Sequence, residues 1–179
     1  MNLGFLVVGL GKIGIALALT VACVGMAIAV PRRLLALDPL APALRDGNTA
    51  VALVDGAALL ALALLCRQPL VSAFAALDFL GHGGTDAQDL GLFLGYLAVH
   101  IGITLALGTG SIVVATLLFN RWTSGVDEIA EIRRGNVAPA VVLAAVVVAT
   151  AILLAPGLEA VLDAFLPWPD LGGPVRPPS

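Results

Sequence analysis

A chain of 179 residues, 60% hydrophobic, with a mean hydropathy of +1.05 and a formal net charge of −3, is long enough for one compact domain. It is too apolar to fold in water, so the bilayer is the expected solvent. Its 9 Lys and Arg against 12 Asp and Glu make no large basic face, and nothing points to nucleic acid as a partner.

Four stretches carry almost all the apolar residues, roughly residues 3–30, 48–66, 90–119 and 137–155. Each is close to or longer than the ~20 residues that cross a hydrocarbon core of about 30 Å. They lack period-2 alternation, so each is predicted to be a helix and not a barrel strand. In the first, Ala27-Ile28-Ala29 offers a small-x-small site of the kind that follows a signal peptide, but a similar stretch recurs mid-chain, which favours a retained span. Gly9-Leu10-Gly11-Lys12-Ile13-Gly14 has only a superficial likeness to a phosphate loop, because the spacing before Gly-Lys and the following Ser or Thr are missing. After Arg32 and Arg33, Asp38-Pro39 predicts the start of a short surface helix that Gly47-Asn48 ends, with Arg45 in its last turn. The second span holds Asp55, and Arg67-Gln68-Pro69 is predicted to break it, leaving residues 70–80 as an amphipathic stretch on the outer interface.

An outer linker, residues 81–89, contains His82, Asp86 and Asp89; one His and two Asp in a Gly-rich loop read as solvated residues, so no metal is assigned. The third span holds His100 and ends before Arg121 and Trp122. Ser124 and Asp127 have capping-box spacing ahead of a second surface helix through Glu128, Ile129, Glu131 and Ile132, closed by Arg133-Arg134-Gly135-Asn136. Ala155-Pro156-Gly157 is predicted to break the fourth span, with residues 158–166 again amphipathic. Residues 167–179, with five prolines, read as a disordered or extended tail, and Trp122 and Trp168 fall where an aromatic belt would place them.

Shifted by 88 residues without a gap, residues 5–76 are identical to their partners at 22 of 72 positions. Ile13-Gly14-Ile15 matches Ile101-Gly102-Ile103, and Arg45, Gly47 and Asn48 match Arg133, Gly135 and Asn136. Chance matching of Ala-rich spans does not readily supply an Arg-x-Gly-Asn at the same offset, so the chain reads as a tandem duplication: residues 1–80, the linker, and residues 90–166. Arginines gather at the turns inside each copy, while the opposite loops carry only Arg67 and, in the tail, Arg176. By the positive-inside rule both turns are cytoplasmic and both termini lie outside, which makes the two hairpins parallel. The predicted fold is all-α: a four-helix integral membrane protein of two tandem hairpins with short interfacial helices.

Helices in lipid associate through close packing of small residues. Ala98, Gly102, Ala106 and Gly110 recur every fourth residue, and Gly14, Ala18 and Ala22 occupy three of the aligned positions. The first and third spans are therefore expected to meet at the centre, or to mediate homo-oligomerisation if that face points outward. Cys23 and Cys66, aligned with Ser111 and Leu154, read as small packing residues and not as a disulfide or metal pair.

Lys12, Asp55 and His100 are ionisable groups inside apolar spans, which by default mark function. Lys12 aligns with His100, and helical rise places both about 28–32 Å from the cytoplasmic end, near the outer boundary where a lysine snorkels and a histidine finds water. Asp55 lies about 10 Å from the cytoplasmic end by the same rise, too far from Lys12 for one site. Arg-x-Gly-Asn reads first as a structural corner, and compatibly as an anion site, since arginines beside a helix N-terminus suit lipid phosphates. No Ser/His/Asp, paired catalytic carboxylate or His-Glu-x-x-His arrangement is present, and nothing calls for a cofactor.

The segment Asp127-Glu128-Ile129-Ala130-Glu131-Ile132-Arg133-Arg134-Gly135-Asn136-Val137-Ala138 resembles the signature of the YjfL-like small bacterial membrane proteins, domain of unknown function 350: an acidic surface helix, Gly-Asn-x-Ala, then an apolar span, often in two copies. The resemblance covers both repeats. The first copy departs from it at Pro39, Pro42, Asp46 and Asp55. What it implies is a bacterial inner-membrane protein without an assigned reaction, whose relatives are associated with phage-shock-type membrane-stress proteins and polyamine-synthase-like enzymes. The expectation is a non-enzymatic, self-associating scaffold or sensor that offers its corners to lipid headgroups or a peripheral cytoplasmic partner. The alternative is an ion or small-solute conduit through Lys12, His100 and Asp55.

Overall fold

A computed structural model of the chain describes residues 3–36, 40–83, 87–122 and 127–165. The described residues form six helices: α1 (Leu3–Leu34), α2 (Leu40–Arg45), α3 (Thr49–Gly83), α4 (Ala87–Trp122), α5 (Glu128–Arg133) and α6 (Val137–Phe165). Within the four long ones, Leu6–Leu34, Thr49–Ala75, Leu90–Trp122 and Val137–Ala164 are long and apolar enough to cross a membrane. Ala, Leu and Val cover them on all sides, as a lipid-facing helix requires, and internal i→i−4 bonds satisfy the backbone. The predicted caps Asp38 and Ser124 and the tail beyond residue 165 lie outside the described residues.

The expected proline breaks do not occur. Pro69 and Pro156 lie inside α3 and α6, as Pro31 does inside α1. A proline removes one backbone donor and crowds one carbonyl, and neighbouring bonds carry a membrane helix through that loss. Residues 70–80 and 158–165 therefore prolong the spans and do not form separate surface helices, and the linker narrows because α3 runs to Gly83 and α4 starts at Ala87.

The expected centre is also different. The most extensive interface joins α3 to α6, not α1 to α4. Its small residues are alanines: Ala50, Ala58 and Ala61 on α3, and Ala140 and Ala151 on α6, are 0–1% exposed around Leu62 and Leu143. Helix α1 packs mainly on α3, through the i, i+4 stripe Leu19, Cys23, Ala27 and Pro31. Gly14, Ala18, Ala98, Gly102 and Ala106 are exposed, Ala22 and Gly110 are half-buried, and a Cβ on Gly14, Gly102 or Gly110 would meet nothing within 4 Å. Gly108 behaves differently: a Cβ there would come within 2.8 Å of Leu62 Cδ2 and 3.3 Å of Leu65 Cδ1, so α4 approaches α3 through it.

Candidate functional site: the paired Gly-Asn corners

Each short helix ends in a glycine with positive φ, +69° at Gly47 and +90° at Gly135, a region where a Cβ collides with the following carbonyl. The two ends share one bonding scheme. Asn48 N donates to Ala43 O (2.9 Å) and Gly47 N to Leu44 O (3.2 Å); Asn136 N donates to Glu131 O (2.9 Å) and Gly135 N to Ile132 O (3.0 Å). This is the Schellman pattern, which satisfies the last carbonyls of a helix. The asparagines then cap the spans that follow: Asn48 Oδ1 accepts from Val51 N and Asn136 Oδ1 from Ala138 N, each at 3.1 Å. Helix α5 begins on Asp127 itself, whose Oδ1 accepts from Ala130 N at 3.0 Å, so Asp127 fills the cap position expected of Ser124.

The side-chain amides diverge. Asn136 Nδ2 donates to Glu131 Oε2 (3.0 Å), and Arg134 Nη1 donates to Glu131 Oε1 (2.9 Å). The amide first and the guanidinium second hold the Glu131 carboxyl below its ordinary range. Asn48 Nδ2 instead reaches the other corner and donates to Arg133 O at 3.1 Å. Arg133 crosses in turn: its Nε donates to Leu35 O at 2.9 Å, and its Nη2 bonds the same carbonyl, closing the end of α1 next to Ala36, which holds φ +45°. Ile132, 0% exposed, anchors α5 on the bundle.

The corners thus lie side by side and enclose a cavity of about 420 Å³ lined by Asp46, Asn48, Thr49, Arg133, Arg134 and Gly135, among others. Arg45, Arg133 and Arg134 are exposed overall. Of the corner arginines, Arg133 is committed to Leu35, while Arg134 makes a surface ion pair with Glu131.

The intramembrane groups do not converge. Lys12 Nζ pairs with Asp78 Oδ1 at 2.6 Å and lies 5.7 Å from the Phe74 ring centroid. Asp55 Oδ2 pairs with Arg32 Nη2 at 2.5 Å, with side chains 9% and 11% exposed. Its other oxygen is buried without a hydrogen-bond partner among the described residues. His100 was expected near water but is 1% exposed; its Nδ1 donates to Tyr96 O at 2.9 Å. Cys23 and Cys66, both free, meet with Sγ atoms 3.5 Å apart. His82 and Asp89 belong to α3 and α4 by backbone, but their side chains, and all of Asp86, lie outside the described residues.

The pairs 32/55, 23/66 and 12/78 went unread in the sequence although a signal existed. Steps of nine and eleven residues back along α1 match steps of eleven and twelve forward along α3, as an antiparallel hairpin demands. The Arg133–Leu35 bond had no such signal, because it joins positions 98 residues apart.

A family model described as Domain of Unknown Function (DUF350) matches residues 5–158. No curated protein and no solved structure matches the chain.

Proposed function

The chain belongs to the DUF350 family of domains of unknown function, and from that membership and the corner geometry we propose a non-enzymatic, self-associating scaffold or sensor of the bacterial inner membrane that binds anionic lipid headgroups at its joined corners. The carrying observation is the polar cavity of about 420 Å³ between the corners, with Arg133 and Arg134 on its wall at the start of α6. A phosphate there meets positive side chains beside a helix N-terminus, an arrangement suited to anions. The two hairpins are read as parallel tandem copies with both corners cytoplasmic. The matching bond schemes and the Asn48–Arg133 contact support the copies, and the cluster of Arg33, Arg45, Arg121 and Arg134 supports the orientation.

Self-association is supported by the outward small-residue faces, where exposed glycines on α1 and α4 weaken each helix without closing a contact inside one copy. The link to membrane stress rests on family likeness alone. Against the conduit reading stands the separate ion pairing of Lys12 and Asp55.

The test is binding of a short-chain phosphatidylglycerol to the purified protein, with phosphatidylcholine as control. Arg45→Ala with Arg134→Ala removes two exposed charges and leaves the Arg133 bonds intact. At about 1 kcal/mol per arginine, affinity should fall roughly 30-fold. Unchanged binding by a folded variant sinks the lipid reading.

A further inference from the structure

The thiol pair of Cys23 and Cys66 is absorbed by neither the corners nor the self-association faces. The two sulfurs sit 3.5 Å apart on adjacent helices of one hairpin, and their residues are 4% and 3% exposed. Ion pairs fix the register on either side of them: Arg32–Asp55 toward one end and Lys12–Asp78 toward the other. The helices cannot slide without breaking one of these pairs, so the thiols stay in mutual contact and their coupling is effectively unimolecular. Both also line an apolar groove of about 380 Å³ between α1 and α3, with Leu19, Leu59 and Leu64 among its walls. That groove opens on the bundle's outer surface, which in a bilayer is the lipid side.

We propose that Cys23 and Cys66 form a reversible dithiol–disulfide couple, oxidised from the lipid side by a membrane-dissolved two-electron acceptor of the quinone class. Two S–H bonds break and one S–S bond forms; the two electrons and two protons pass to the quinone, which leaves as hydroquinone. A lipid-soluble oxidant is called for because the thiols lie inside both helices: Cys66 is 17 residues from Thr49 and 17 from Gly83, about 25 Å of helical rise either way, and Cys23 is 20 from Leu3 and 11 from Leu34, about 30 Å and about 16 Å. The oxidised bond would staple α1 to α3 at a point where a single water-borne charged reagent does not reach.

The experiment uses the full chain in sealed liposomes, reduced, freed of reductant and exposed to decylubiquinone. Denaturation, alkylation with a maleimide and intact-mass measurement then count the remaining thiols. The expected result is joint loss of both thiols, a mass lower by two hydrogens with no quinone adduct, and recovery of both thiols on reduction. Cys23→Ser should leave Cys66 fully alkylatable, and Cys66→Ser should do the same for Cys23. Membrane-impermeant ferricyanide should leave both thiols free. Retention of both thiols in the folded wild type overturns the couple; loss of the remaining thiol in either single variant overturns the intramolecular bond; and equal loss with ferricyanide overturns the lipid-side route.

Discussion

At the residue scale, the two neighbouring arginines of the second corner do different work. Arg133 satisfies the Leu35 carbonyl across 98 residues of sequence, whereas Arg134 makes an exposed ion pair three residues away. A hydrogen bond from a charged donor is worth about 1.5–3 kcal/mol, whereas an exposed pair is screened by solvent and contributes little. Arg133→Ala should therefore lower the thermal midpoint in detergent clearly, and Arg134→Ala hardly at all; equal midpoints would remove Arg133 as the α1 clasp. Glu131 adds a pH dependence. Its folded-state carboxyl titrates below the ordinary range, so its contribution is present above the unfolded value and is lost as pH falls through the lowered one. Acid should weaken the α5 end, and Glu131→Gln should flatten that response; an unchanged acid limb in the variant would assign it to other carboxylates. The glycine φ values and the asparagine caps were legible in the sequence because they are local, completed within six residues. The reach of Asn48 to Arg133 and of Arg133 to Leu35 was not, because nothing local encodes it.

At the element scale, the hairpin of α1 and α3 is set by matched steps along antiparallel helices. Lys12 and Asp55 do not share one site: Lys12 pairs with Asp78 and Asp55 with Arg32. Counting outward from the turn would have found both. Proline misled in the opposite direction: in water Pro69 and Pro156 would end helices, but in a bilayer an ended helix exposes several unpaired backbone groups while a proline exposes few. The buried pair Arg32–Asp55 makes a sharp test. Removing one partner leaves an unpaired buried charge at a cost of about 3–5 kcal/mol, whereas replacing both with apolar groups is often neutral or better. Leu143, 88 residues past Asp55, is fully buried as an apolar residue. Arg32→Leu alone should thus destabilise strongly, and adding Asp55→Leu should restore most of the loss in a double-mutant cycle. Additive losses would mean that the pair does not act as a unit.

At the scale of the whole molecule, the sequence made the four spans, the two short helices and the family plain, since each follows from length, composition or a contiguous motif. It did not tell which spans sit at the centre. Glycine stripes on the first and third spans looked like the core, but Ala-lined α3 and α6 fill it and turn the glycines outward. Small residues mark close approach without naming the partner, so the same stripe serves a fold or an assembly. The corners, by contrast, come together because α5 docks on the bundle through Ile132 and its last residue reaches the end of α1. Everything proposed for the function depends on their sharing one side of the membrane. In a background lacking Cys23 and Cys66, Asp46→Cys and Arg134→Cys can each be probed with an impermeant maleimide in membrane vesicles of known orientation. Both positions should label in inside-out vesicles and stay protected in right-side-out ones; labelling of the two corners from opposite sides would contradict the account.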